Sequence, residues 1–289
     1  MKKAYLYKAI IYTVFSLLSL AVLVPVFWVV LAAFKENYEF YGNPWNLPRG
    51  LYLQNFIDAF KNANMGKYML SSVLVTALAL ILILVISLPA AYCLSRFAFR
   101  GNNFLNAVFM AGLFINVNYI VVPIFLMLRD GDNLLKNIFG SGFLLNNIFI
   151  LALVYAATAL PFTVYLLSSY FQSLPYDFEE AAYIDGAGYF HTMVKIMFPL
   201  ARPSIITVVL FNFLSFWNEY IISMTLLSKA GGTRTLPVGL MNLMQGQQAK
   251  AQYGIMYAGL LLVMLPTLIL YILVQKKLTE GMTVGGVKG

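Results

Sequence analysis

Apolar residues run in long unbroken blocks along this chain, and polar residues collect in the gaps between them. One block, LVTALALILILVISLPAAYCL, carries no charge and shows no alternation of period two. A bilayer's hydrocarbon core is about 30 Å thick and takes about 20 apolar residues per helix. By that measure six spans are expected, at residues 9–34, 68–95, 104–128, 146–171, 204–227 and 253–274. Barrel strands would instead be alternating segments of about 10 residues. Within lipid only helices and closed barrels pair every backbone amide, so the expected fold is all-α. It is a polytopic membrane protein with six transmembrane helices, forming one domain over residues 1–289.

Composition agrees: 61% of residues are hydrophobic and 10% charged, where a soluble domain has about 25% charged. The first block follows MKKAYLYK but exceeds the 7–15 apolar residues or so of a secretory signal, so a retained helix is expected. The formal charge of +8 comes from basic residues scattered at helix ends. That suits anionic headgroups, not nucleic acid. Cys93 is the lone cysteine, with no partner for a disulfide or a metal site, and is expected to be a small buried hydrophobe. Basic residues divide almost evenly between the two sides, yet their positions favour cytoplasmic termini. Lys2, Lys3 and Lys8 precede the first span, Arg96 and Arg100 share a short acid-free loop, and Lys276 and Lys277 follow the last span. The outer loops are then 35–67, 129–145 and 228–252. The first has an amphipathic piece at 53–60 suited to the interface, and the last, rich in glycine, reads as a mobile finger.

The inner loop at 172–202 holds YDFEEAAYIDGAGYFHTMVKIMFPLARP over residues 176–203. Pro175 and the acids Asp177, Glu179 and Glu180 suit a helix N-terminus, and Gly186 ends that helix. A second amphipathic segment follows at 189–197, and Pro199 and Pro203 lead into the fifth span. Ala181 and Ala182 leave a bare surface another backbone can approach, Phe178 stands beside them, and the flanking acids can pair with a basic partner. That is the chemistry of an interface, not of catalysis. His191 reads as an ordinary interfacial histidine.

Polar residues within spans usually face a cavity or another helix. Asn212, Ser215, Glu219 and Ser223 recur at helical spacing in the fifth span, flanked by Trp217, Asn218 and Tyr220. At about 1.5 Å per residue, Glu219 lies roughly 22 Å past Ser204. In the third span Asn116 and Tyr119 share a face, with Asn118 beside them. Aromatic faces with amides and carboxylates can hold a sugar ring and its hydroxyls, and interhelical hydrogen bonding is the competing explanation. An ion-coupled transporter would keep ionisable groups near the midplane, where only Glu219 is available. An intramembrane protease would need paired aspartates or H-E-x-x-H, and with one histidine and no aspartate in any expected span the sequence offers neither.

Glu180-Ala181-Ala182, then Gly186, then Ile196 and Pro199 resemble the EAA motif of permease subunits in ATP-binding-cassette (ABC) importers. Phe198 stands where leucine is usual. AAYCLSRFAFRG after the second span, FWNEY in the fifth and the closing GMTVGGVKG are similar to the carbohydrate-uptake branch of that family, of maltose and oligosaccharide type. The resemblance implies the transmembrane domain of a type I importer, not an enzyme. Its inner loop would be a coupling helix in a cleft of a cytoplasmic ATPase, with Glu180, Ala181, Ala182, Asp185, Gly186, Gly188, Ile196 and Pro199 at the contact. Asn116, Tyr119, Asn212, Ser215, Trp217, Asn218, Glu219 and Tyr220 would line the substrate pathway. The implied partners are a second, homologous permease subunit, two ATPase subunits and an extracellular solute-binding protein, the last meeting the final outer loop. The chain itself would hold no cofactor: ATP and magnesium would be bound by the ATPase, as suits a sequence without G-x-x-x-x-G-K-[ST]. The implied setting is the bacterial plasma membrane and the implied cargo a sugar. A permease for another solute and an ion-coupled transporter are the alternatives.

Overall fold

A computed structural model describes residues 2–228 and 233–284 of the chain. Residues 229–232 of the last outer loop and 285–289 of the closing motif lie outside the described residues. Among the described residues there are thirteen α-helical segments and no strand. Long apolar helices form at α1 (Lys2–Ala33), α3 (Met65–Arg96), α6 (Ile148–Ser173) and α13 (Tyr253–Val284). Each contains one proline, Pro25, Pro89, Pro161 and Pro266 respectively, as membrane helices tolerate where neighbouring groups re-satisfy the backbone. Between the first two lies the short α2 (Gln54–Ile57), continued by a π turn at Asp58–Asn62. It falls on the amphipathic piece read at 53–60.

The third and fifth apolar blocks are not straight helices. α4 (Asn102–Gly112) and α5 (Val117–Phe139) meet at 105°: α4 ends at Gly112, and after a short turn Asn116 caps α5, its Oδ1 accepting from the Asn118 amide at 3.0 Å. The fifth block starts a bend early. α8 (Tyr189–Thr192), a π turn and α9 (Phe198–Leu200) form one rod that turns by 74° into α10 (Arg202–Trp217). α10 itself stops at Asn218, and the short α11 (Ile221–Leu226) follows. Four helices are thus long and apolar enough to cross a membrane, or up to six if each bent pair counts as one span.

By packing the chain forms two compact units, Met1–Gly66 with Gly239–Pro266, and Lys67–Val238 with Thr267–Gly289. In the first, Trp28 meets Tyr257 edge-on and Phe40 stacks on Tyr257. Lys35 is buried there, over the Phe40 ring, and donates to the Pro44 carbonyl. Two apolar clusters lie among the described residues of the second unit. One joins Ile83, Val121, Leu151 and Phe216, and the other joins Tyr92, Leu167, Phe171, Met197 and Val208. Gly112 lets α4 close onto α6, since a Cβ there would lie 2.7 Å from the Pro161 ring. Small residues serve this purpose in membrane bundles.

One expectation is corrected. Cys93 is exposed on α3, because the buried face of this helix is taken by Ala91, Tyr92 and Leu94. The last outer loop carries a helix, α12 (Leu236–Ala249). Its first amide, on Leu236, is met by Ser72 Oγ at 2.7 Å, which supplies the acceptor a helix N-terminus lacks.

Candidate functional site: an anchored helix and a broken polar span

The loop between α6 and α10 folds as the sequence suggests. α7 (Asp177–Ile184) begins after Pro175 with three acids in its first turn, where carboxylates meet the positive end of the helix dipole. Gly186 ends it at φ +80°. The Ala187 amide bonds the Ala182 carbonyl at 2.9 Å and the Gly186 amide bonds that of Tyr183 at 3.0 Å. This is a Schellman stop, which needs a left-handed residue.

The faces of α7 divide sharply. Glu179 and Ala182 point inward and are buried, whereas Glu180, Ala181, Asp185 and Gly186 are exposed and Ile184 is 86% exposed. Phe178 and Tyr183 stand beside them, about two-fifths exposed. Tyr183 keeps its phenol above the usual range through local burial, with Tyr189 and the Glu179 carboxylate adding to the effect. Gly188 is exposed and precedes α8, and its carbonyl accepts the Thr192 hydroxyl at 3.2 Å. Ile196 is half-buried against the Tyr92 cluster, and Pro199 is exposed. The result is a short, mostly bare ledge with a firmly held back.

What holds it was not visible in the sequence. Glu179 Oε1 accepts from the Tyr92 hydroxyl at 2.7 Å, and Glu179 Oε2 lies 3.5 Å from Arg96 Nε. The Arg96 and Glu179 side chains are only 1% and 7% exposed. Arg96 also donates to the Leu174 carbonyl at 2.8 Å and lies 4.3 Å over the Tyr176 ring. One signal was available: Tyr92 and Arg96 are four apart, hence on one face at the end of an apolar helix.

At the far end of α10 the polar residues form no continuous stripe, because the helix breaks between Trp217 and Ile221. Glu219 sits in the break. Its carboxylate accepts from Tyr155 Oη at 2.7 Å and from the amides of Ile222 and Ser223 at 2.7 and 3.0 Å, capping α11. Ser223 in turn bonds Thr235 at 2.6 Å. Asn212 is buried and donates to Thr163 Oγ1 and the Val208 carbonyl. Trp217 is 2% exposed and stacked on Phe213. Asn212, Trp217 and Glu219 thus serve the interior of the bundle. Ser215 and Asn218 are exposed, and Tyr220 is half-exposed with its hydroxyl on Met224 Sδ. On the other bent pair Asn116 and Tyr119 are exposed, Tyr119 to 82%. Among the described residues no three His, Cys, Asp or Glu side chains cluster where a metal ion could be held.

Comparison with known proteins places this geometry. Residues 83–276, which include α7 and its anchor, match the family described as binding-protein-dependent transport system inner membrane component. A diacetylchitobiose uptake system permease protein, NgcG of Streptomyces coelicolor, is 36% identical over 96% of this chain and 88% of its own length. The trehalose/maltose transport system permease protein MalG of Thermococcus litoralis is 30% identical over 94% of each chain. A chain in the crystal structure of a bacterial ABC transporter for import of the acidic polysaccharide alginate has the same fold, with a TM-score of 0.81 and 22% identity over 96% of this chain and 98% of that one. With several bilayer-length helices, a matched core of this extent and relatives aligned nearly end to end, the chain belongs to the family of inner membrane components of binding-protein-dependent transport systems.

Proposed function

We propose that this chain is a permease subunit of an ATP-driven importer that moves a sugar, by preference an oligosaccharide, and that α7 couples it to a separate ATPase. The observation that carries this is the division of α7. The side chains facing outward are small, apolar or acidic, and the inward-facing Glu179 is fixed to α3. Such a ledge can be gripped by another protein and can pass the displacement on. Glu180, Ala181, Ala182, Asp185, Gly186 and Gly188 form or shape the contact, and Ile196 and Pro199 seat the rod behind it. ATP and magnesium belong to the ATPase.

The named cargoes of relatives, diacetylchitobiose and trehalose or maltose, support the sugar class. The exposed residues Asn116, Tyr119, Ser215, Asn218 and Tyr220 contribute to the pathway, while Asn212, Trp217 and Glu219 hold its wall from behind. A homologous permease completes the pore, an extracellular binding protein delivers the solute, and both termini lie in the cytoplasm of a bacterium.

The test is uptake of labelled disaccharides into proteoliposomes carrying the transporter isolated through this chain. Uptake should require ATP and the binding protein and persist when ionophores collapse ion gradients. Uptake that continues without ATP but stops with the ionophore would overturn the proposal in favour of ion coupling. ATP-driven uptake of amino acids or phosphate alone would overturn the sugar.

A further inference from the structure

Resting on the coupling role of α7, we infer that Tyr92, Arg96 and Glu179 form a buried clasp that makes α3 the helix α7 pulls on. Sequence distance argues that this is a deliberate junction: Glu179 is 87 positions from the tyrosine it bonds. The clasp has three fastenings. A neutral hydrogen-bond donor, Tyr92 Oη, meets one carboxylate oxygen at 2.7 Å. The guanidinium faces the other oxygen at 3.5 Å. The same guanidinium is fixed to the start of the loop through the Leu174 carbonyl and the Tyr176 ring.

Aromatic contacts extend it on both sides. Tyr92 meets Phe97 and Phe171 edge-on, Phe97 meets Tyr189, and Tyr189 meets Tyr183 of α7, with ring centroids 5.3 to 5.8 Å apart. Rings at such spacing are in attractive contact, and close-packed interiors transmit displacement instead of absorbing it. A push on the exposed side of α7 therefore reaches α3 through two routes that converge on Tyr92.

Hydrophobic side chains would fasten the same elements at less cost, because burying a charge pair is expensive. Arg96 bears that cost visibly: its Nε and Nη1 are buried without a hydrogen-bond acceptor. What the ion pair adds over an apolar contact is direction, since a charge pair resists separation while packed methyl groups can slide. Glu179 is on this view a positioning residue, and it lies on the opposite side of α7 from the ledge a partner would grip.

The test uses the transporter isolated through this chain, reconstituted with its binding protein, with solute delivered per ATP hydrolysed as the readout. Glu179→Leu should leave an ATP-hydrolysing subunit attached while lowering that ratio about tenfold, equivalent to about 1.4 kcal/mol of lost coupling. Glu179→Gln, which keeps the shape and an acceptor for Tyr92, should lower it less. The exchange Arg96→Glu with Glu179→Arg should recover part of the loss. A wild-type ratio in Glu179→Gln and Glu179→Leu overturns the clasp. Should Glu179→Leu not assemble, Glu179→Gln decides. Amide hydrogen exchange of α7 in the purified chain separates the two claims: Glu179→Gln should speed it about tenfold, and an unchanged rate overturns the clasp. Absence of any ATP-hydrolysing subunit beside the wild-type chain would instead defeat the coupling role.

Discussion

At Glu219 a phenol and two backbone amides converge on one carboxylate, which makes this residue the keystone of the helix break. Glu219→Ala would leave three part-buried donors without their acceptor and should destabilise the chain by about 3 kcal/mol. Tyr155→Phe, which keeps the stack on Phe216, should cost about 1 kcal/mol. Exposed Ser215→Ala should stay within about 0.5 kcal/mol. Thermal unfolding of the detergent-solubilised variants measures all three. At this scale the sequence was only partly informative. It marked Glu219 as polar and out of place, yet the donors that explain it come from α6 and α11. Likewise Glu179 and Glu180 are indistinguishable as letters. Helix phase sends one toward Arg96 and the other to solvent, and the identity of Arg96 as partner depends on chain folding over more than eighty positions.

Among the elements, α7 was the most legible, because its limits are set by local chemistry: Pro175 and acids at one end, a left-handed glycine at the other. Nothing lies within 4 Å of a Cβ built on Gly186, so a substitution there suffers from backbone conformation and not from crowding. Gly186→Ala should therefore cost about 1–2 kcal/mol and fray the end of α7. Faster amide exchange at Ala187, whose amide closes the turn, would report it. The bends were far less legible. Hydropathy adds along the chain and is blind to direction, so the blocks at 104–128 and 204–227 read as single rods. The 105° turn between Gly112 and the Asn116 cap and the stop at Asn218 rest on local groups that a hydropathy window averages away. The helix in the last outer loop was illegible for a related reason: Ser72, which caps it, is far away in sequence.

For the whole molecule the apolar blocks were enough to give the fold class, and the resemblance carried by Glu180, Ala181, Ala182, Gly186, Ile196 and Pro199, with FWNEY and the closing motif, pointed to the family. The exposed apolar surface completes the picture. None of the most apolar window of α1 is buried within the chain, so lipid or another subunit must cover it, as a membrane component of a larger assembly requires. The central claim is that the open side of α7 is covered by an ATP-hydrolysing subunit. It is tested most directly by cysteine cross-linking in a Cys93→Ser background, since the native cysteine is exposed and would compete. In the isolated transporter, Ala181→Cys should cross-link to an ATP-binding subunit in high yield, whereas Ala182→Cys, buried against this chain, should not. An Ala181→Cys that forms no such cross-link and stays as reactive to a soluble maleimide in the assembled transporter as in the chain alone would contradict it.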